Sequence, residues 1–176
     1  MCSQSSALPE KDRSGLGYAP SLNHVGVVVG DLDQAIEFYT QAIGFDVLGG
    51  PATFTYEAVG DARSLTDVFG ERYREVRMCW LATGGVTGFE LFQFIDPPTE
   101  QSPPFQYWKT GLMHVAVTVH DVDIVADRIV AHGGVRASQV WRWNEGHYWI
   151  YCRDPWGNIV ELNSMSYERV NANRGT

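Results

Sequence analysis

The chain has 176 residues and a mass of 19.7 kDa, enough for one domain or for two small halves packed together. Hydrophobic residues make up 44% and charged residues 19%, a balance typical of a folded soluble protein. The formal net charge of -8 argues against a general nucleic-acid binder, and no apolar run reaches the roughly 18 residues of a membrane span.

Residues 1–20 are polar, contain Ser and Gly, and lack the apolar stretch of a signal peptide. We therefore expect a flexible N-terminal tail and a cytoplasmic protein. The three cysteines, Cys2, Cys79 and Cys152, are too few for a disulfide scaffold, and the last two lie in apolar stretches typical of buried thiols.

An internal repeat organises the rest of the chain. The segment from Leu22 to Asp33 recurs ninety positions later as the segment from Leu112 to Asp123, and nine of the twelve positions keep the residue or its class. Each copy alternates valines with small or polar residues, which predicts a strand. Asp31 and Asp121 then occupy the N-cap position of a predicted helix.

The first helix is predicted from Ala35, Ile36, Tyr39 and Ile43 and ends at Gly44. Strand-like runs follow at 45–48, 53–59, 76–82 and 89–95. Residues 21–96 are therefore predicted to form a first βαβββ module. A Pro-rich linker is predicted over residues 97–111.

The second helix is predicted from Ile124, Val125, Ile129 and Val130 and ends at the Gly133–Gly134 pair. Strand-like runs follow at 135–140, 147–152 and 159–163, so residues 112–165 are predicted to form a second βαβββ module. Residues 166–176 are predicted as a C-terminal tail. The fold class is α+β, and the strands of both modules are expected to share one curved, mostly antiparallel sheet.

Histidine and glutamate occupy matching places in the two modules. His24 and His114 lie in the two opening strands, and Glu90 and Glu161 lie in the closing strands. A glutamate in an apolar strand is costly unless it is paired or binds a cation. A lone strand histidine is commonly structural and a strand glutamate is commonly exposed, but their match in a repeat favours one divalent metal ion: Zn²⁺, Ni²⁺, Co²⁺, Mn²⁺ or Fe²⁺.

These residues resemble the vicinal oxygen chelate superfamily, which includes glyoxalase I, methylmalonyl-CoA epimerase, extradiol dioxygenases, and fosfomycin and bleomycin resistance proteins. The resemblance spans about residues 22–164. Its most specific pieces are His24 with Asp31–Asp33, His114 with Asp121–Asp123, and the turn from Asp154 to Asn158 that leads to Glu161. It implies paired modules, a U-shaped sheet around a metal ion, a small-molecule substrate and a homodimer.

The family's metal positions correspond to His24, Glu90, His114 and Glu161. Four protein ligands are similar to the pattern of glyoxalase I and the epimerases, which implies a lyase or isomerase that works through metal-stabilised enolate chemistry. Extradiol dioxygenases keep two His and one Glu, so an Fe²⁺-dependent ring-cleaving dioxygenase is the alternative. A ligand-sequestering resistance protein without catalysis is the second alternative, and antibiotic-binding members generally lack the metal ligands.

Three further residues are predicted to take part in catalysis. Glu57 resembles the epimerase base in position, although an exposed strand carboxylate is the simpler interpretation. His147 and Tyr151 lie on the strand where the family places acid/base groups, and His147 fits a site or a surface equally well. A metal-bound Glu90 or Glu161 is an alternative base.

The chain is rich in aromatic residues, with six Trp, eight Tyr and eight Phe. Part of this set is expected to line the concave face of the sheet and to bind a small oxygenated substrate with an aromatic or apolar body. The predicted substrate-binding residues are Trp80, Phe92, Trp141 and Trp149.

Overall fold

A computed structural model describes residues 20–56, 62–143 and 146–172. The first half contains β1 (His24–Val28), α1 (Leu32–Glu37) with a π-helical continuation (Phe38–Ile43), β2 (Asp46–Thr55), α2 (Ala62–Phe69), β3 (Glu75–Ala82) and β4 (Gly88–Asp96). The second half contains β5 (Val115–Thr118), α3 (Val122–Ala131), β6 (Val135–Arg136), β7 (Trp141–Trp143), β8 (His147–Arg153), β9 (Ile159–Asn163) and α4 (Tyr167–Asn171).

Each half builds its own sheet around one amphipathic helix. The strand order is β1-β4-β3-β2 in the first sheet and β5-β9-β8-β6 in the second, where β7 also pairs with β8. The opening strand of each half runs parallel to the closing strand, and the remaining pairs are antiparallel. The predicted α+β class is confirmed. The expectation of one shared sheet is wrong, because the strands of each half pair only with one another and form two hydrogen-bonded sheets.

The predicted helix starts are confirmed at both N-caps. Asp31 accepts a hydrogen bond from the backbone N–H of Gln34, and Asp121 accepts from the N–H groups of Asp123 and Ile124. These bonds satisfy backbone donors that lack partners inside the helix. The two helices thus begin at matching places, directly after the strands that carry the histidines.

Several elements differ from the sequence-based expectation. The predicted strand at 45–48 and the start of the predicted strand at 53–59 belong to the single strand β2, whose register shifts near Gly49 and Gly50 absorb the irregular pattern. Residues 57–59 of the second prediction lie outside the described residues. The predicted strand 135–140 contains only the short β6, and β7 follows separately. Two helices, α2 and α4, were not predicted, and α4 begins after the cap residue Ser166 within the segment predicted as a tail.

One hydrophobic core joins the halves. Its buried residues include Leu32 and Phe38 from the first helix and Val125 and Ile129 from α3. The core-facing residues of β1 and β5 pack on the same cluster. The opposite faces of the sheets therefore remain available for polar side chains.

A buried hydrogen-bond network also joins the halves at Asp154. The hydroxyl of Tyr39 donates to Asp154 Oδ2 at 2.9 Å, and the side chain of Asn158 donates to the same oxygen at 2.8 Å. The backbone N–H groups of Trp156 and Asn158 donate to Oδ1. Burial raises the pKa of Asp154, and the hydrogen bonds from Asn158, Tyr39 and Trp156 offset part of the rise.

Removing the Tyr39 hydroxyl is expected to destabilise the fold in a pH-dependent way. We expect Tyr39→Phe to lower the free energy of unfolding by about 1 kcal/mol at neutral pH. Because the pKa of Asp154 is raised in the folded state, protonation of this carboxyl increases the free energy of unfolding. This contribution is complete below pH 3.8, the ordinary pKa of the group, and is lost as the pH rises through the folded-state pKa. Because the variant raises that pKa further, the loss should be larger at neutral pH than at acidic pH.

Urea unfolding of the wild type and Tyr39→Phe at neutral and at acidic pH measures how the loss of stability depends on pH. Tyr167→Phe removes a hydroxyl from an exposed ring and should leave stability unchanged. A destabilisation of Tyr39→Phe that is equal at both pH values would contradict the role given to Asp154.

Gly134 lies where the end of α3 passes β8. A Cβ atom there would lie 2.5 Å from the carbonyl oxygen of Arg153 and 2.6 Å from a methyl group of Ile129. The Arg153 carbonyl belongs to the backbone of β8 and cannot move aside without shifting the strand. We expect Gly134→Ala to lower the free energy of unfolding by about 1–3 kcal/mol.

Gly85 supplies the matched control for this substitution. A Cβ atom at Gly85 would meet no atom within 4 Å, so Gly85→Ala should leave the urea midpoint nearly unchanged. Equal stability of the two alanine variants would show that helix α3 and strand β8 are not closely packed at Gly134.

Candidate active site

The first histidine–glutamate pair lies on the face of the first sheet that points away from α1. Gly26 of β1 is the register partner of Glu90 on β4, and His24 precedes Gly26 on the same face. The Nε2 atom of His24 lies 3.5 Å from Glu90 Oε2, and its Nδ1 atom lies 2.7 Å from the side-chain oxygen of Asn23. The His24 side chain is 48% exposed, so this pair borders solvent.

The second pair repeats this arrangement on the second sheet. His114 immediately precedes β5, and Glu161 of β9 is the register partner of Ala116. The Nε2 atom of His114 lies 2.9 Å from Glu161 Oε2, and both side chains are less exposed than His24. The Nδ1 atom of His114 is buried and has no hydrogen-bond partner among the residues described.

The two pairs remain separate as ligand clusters. Within residues 20–56, 62–143 and 146–172, no group of three His, Cys, Asp or Glu side chains is close enough to hold a metal ion. Imidazole nitrogens and carboxylate oxygens are nevertheless suitable ligands for first-row divalent metals. Each pair therefore fits half of the predicted ligand set.

A cavity of about 760 Å³ lies between the two halves and reaches the second pair at His114. Its lining includes Gly26, the register partner of Glu90, and also His114 from the second half. The linker residues 99–105 form another wall. Polar side chains of the linker and of the second half therefore face the glycine and valines of β1 across one space of the size that small-molecule sites use.

Aromatic rings surround the second pair. Tyr151 of β8 is the register partner of Glu161, and its ring centroid lies 5.4 Å from that of His114. Trp149 packs edge-on against Tyr151 at 5.5 Å, and Trp141 stacks on Trp149 at 6.3 Å. Burial, and secondarily the charge of Glu161, raises the pKa of Tyr151, so its hydroxyl stays protonated and can donate a hydrogen bond.

Trp80 and Phe92 lie on the equivalent face of the first sheet. Trp80 is the register partner of Glu90, and Phe92 pairs with Met78 one step further along the strands. Phe69 of α2 packs edge-on against Phe92 at 6.1 Å. The unpredicted helix α2 thus covers part of this face near Phe92.

His147 is nearly inaccessible, with 7% exposure. Its Nε2 atom lies 2.9 Å from Asn163 Oδ1, and its Nδ1 atom is buried without a hydrogen-bond partner among the described residues. His147 lies two residues before Trp149 on β8, so its side chain is on the same strand face as Trp149 and Tyr151. Glu57 lies outside the described residues.

Two polar residues near this face were not predicted from the sequence. Asn163 fixes the orientation of His147 through the hydrogen bond given above. Arg153 lines the cavity beside His114. Neither residue belongs to a recognisable motif of ligands or acid/base groups, so only their positions in the fold reveal them.

No helix in the described part of the chain is both long enough and apolar enough to cross a membrane.

Residues 21–162 match the sequence profile of the Glyoxalase/Bleomycin resistance protein/Dioxygenase superfamily. The chain belongs to this superfamily, as the paired modules and their His–Glu pairs indicate.

Among known proteins, the chain is 35% identical over 163 residues to a 2-epi-5-epi-valiolone epimerase from Actinomyces sp., a match that covers 86% of this chain and 82% of the relative. A glyoxalase family protein from Bacillus cereus aligns with a TM-score of 0.69 and 25% identity, over 85% of this chain and 96% of the other. The epimerase relative supports an isomerase-like enzyme.

A fosfomycin resistance protein from Listeria monocytogenes aligns with a TM-score of 0.55 and 14% identity, over 88% of this chain and 99% of the other. At this identity the similarity shows a common fold alone.

Proposed function

We propose that the protein is a divalent-metal-dependent epimerase that inverts a carbon centre beside a carbonyl group of a small ketone. The observation that carries the proposal is the repetition of one His–Glu pair on equivalent faces of both sheets. The 35% identity to an epimerase supports it.

The ligand set of the proposal is His24, Glu90, His114 and Glu161. Held by these residues, a divalent cation supplies Lewis-acid polarisation of a carbonyl oxygen and so lowers the pKa of the adjacent C–H group. The imidazole nitrogens and carboxylate oxygens of the two pairs provide the donor types that this requires. Because His114 lines the cavity, a small ligand in it can approach the second pair.

The remaining polar groups have distinct tasks in the proposal. Glu57 removes the proton from the carbon centre, and a carboxylate is a suitable base once that C–H group is acidified. Tyr151, which stays protonated, donates a hydrogen bond to a substrate oxygen near Glu161. His147, held by the hydrogen bond to Asn163, orients the ring of Trp149 on the same strand face.

The substrate class follows from the relative and from the lining of the faces. The name of the Actinomyces relative specifies a ketone, and epimerisation beside a ketone proceeds by loss and return of a proton. Trp80, Phe92, Trp141 and Trp149 offer flat apolar surfaces on the same strand faces as the glutamates. We propose that they contact the carbon skeleton of the substrate.

Deuterium exchange tests this function. The protein is incubated in D₂O with 2-epi-5-epi-valiolone, and the expected result is deuterium at the carbon beside the carbonyl together with the epimeric ketone. Exchange should stop after treatment with a chelator and return on addition of Mn²⁺, Co²⁺, Ni²⁺ or Zn²⁺. Unchanged ketone in the presence of bound metal would contradict the assignment for this substrate. Oxygen consumption with catechols would instead favour the dioxygenase alternative.

A further inference from the structure

Arg153 ends strand β8 at the edge of the cavity. It lies two residues beyond Tyr151, so its side chain emerges on the same face about 7 Å further along the strand. Tyr151 itself is the register partner of Glu161. The guanidinium of Arg153 therefore lies near the second His–Glu pair but is not part of it.

The guanidinium of Arg153 lacks the partners that comparable arginines have. Arg77 and Arg136 are also half-buried, and each forms a salt bridge with at least one aspartate at 3.0 Å or less. Arg153 has no hydrogen bond or ion pair from its side chain to any described residue, and its Nε atom is fully buried. A buried Nε–H donor without a partner is costly.

The nearby carboxylates do not neutralise this charge. The Asp154 carboxylate is turned toward Tyr39 and Asn158, and Glu161 pairs with His114. Glu100 lines the same cavity from the linker but is exposed and forms no ion pair with Arg153. An isolated positive charge thus faces the cavity of a chain whose net charge is -8.

We propose that Arg153 binds an anionic group of the substrate, a phosphate or a carboxylate, while the carbonyl end of the same molecule lies at the His–Glu pairs. The planar fork of a guanidinium matches two oxygens of either group. The inference rests on the proposed function for the position of the carbonyl, and it adds that the enzyme prefers a ketone with an anionic group to an uncharged ketone.

Three small ketones test the proposal by calorimetric titration of the full-length protein as purified. Dihydroxyacetone phosphate carries a phosphate, acetoacetate carries a carboxylate, and dihydroxyacetone carries no charge. The variants are Arg153→Gln and, as a matched control, Arg169→Gln, which removes an exposed charge on α4. Circular dichroism and the thermal midpoint establish that each variant is folded.

We expect wild-type protein to bind one of the charged ketones at least about tenfold more tightly than dihydroxyacetone, and Arg153→Gln to abolish that preference. Arg169→Gln should keep it. The preferred anion identifies the group as phosphate or carboxylate. Equal affinity of wild-type protein for all three ketones, including no binding of any, overturns the proposal, as does a preference that survives in Arg153→Gln.

Deuterium exchange of the bound ketones, measured in parallel, separates this inference from the proposed function. An Arg153-dependent preference for the anion without any exchange would support the anion site and contradict the epimerase function. Metal-dependent exchange without an anion preference would support the function and overturn the anion site.

Discussion

Replacing Glu161 with Gln is expected to weaken divalent-metal binding by roughly 100-fold or more, because even residues that only support a metal ligand typically contribute 10–100-fold. The amide oxygen of Gln is neutral and is a poorer ligand than a carboxylate. In the structure, Glu161 lies 2.9 Å from His114, the shorter of the two His–Glu contacts. Calorimetric titration of chelator-treated protein with Mn²⁺, Co²⁺, Ni²⁺ and Zn²⁺ measures the effect.

Glu37→Gln makes the same chemical change on the exposed side of α1 and should bind metal as the wild type does. Glu90→Gln tests whether the two pairs serve one ion, because a shared ion predicts a loss similar to that of Glu161→Gln. Wild-type affinity in Glu161→Gln would exclude this residue as a ligand. A loss in Glu161→Gln with full affinity in Glu90→Gln would indicate two His and one Glu, the ligand pattern of the dioxygenase alternative.

Replacing Glu57 with Gln is expected to lower the rate of deuterium exchange by about 10²–10⁴-fold while metal affinity stays unchanged. The reason is that Gln keeps the size of the side chain but cannot accept a proton from carbon at neutral pH. The unchanged metal affinity separates loss of the base from loss of the metal. Exchange rates with saturating metal and the calorimetric titration described above provide the two measurements.

Glu37→Gln again serves as the control and should exchange at the wild-type rate. Exchange by Glu57→Gln within tenfold of the wild type would show that another group accepts the proton. Glu90 or Glu161 would then be the base. Loss of both exchange and metal in Glu57→Gln would contradict the assignment of Glu57 to proton removal alone.

The sequence alone predicts the positions of both His–Glu pairs because two local rules combine. The repeat aligns His24 with His114, and the alternation of side chains along a strand directs Glu90 and Glu161 away from the apolar core. The N-cap residues Asp31 and Asp121 likewise predict where the helices begin. These features depend on neighbours in sequence or on the repeat.

Features that depend on packing between distant segments could not be predicted. The separation between the two pairs depends on how the halves meet through α1, α3 and the Tyr39–Asp154 contact. Helix α2 lies in a stretch of mixed polarity, and its contact with the sheet through Phe69 has no local signal. Arg153 resembles any charged residue at a strand end until its cavity and lack of partners are known.

His147 shows the same limit at a single residue. Its position on a strand fits either a site or a surface, and only the tertiary structure buries it beside Asn163. Strand β2 gives a further example, because its register shifts allow one strand to continue through a segment whose pattern predicts two.

The metal content of the wild-type protein, purified without chelator, tests the central claim most directly. Elemental analysis should find about one divalent transition-metal ion per chain, removable by a chelator together with all deuterium exchange activity. Less than about a tenth of an equivalent of any divalent metal, in protein that still catalyses exchange, would contradict a metal-dependent enzyme.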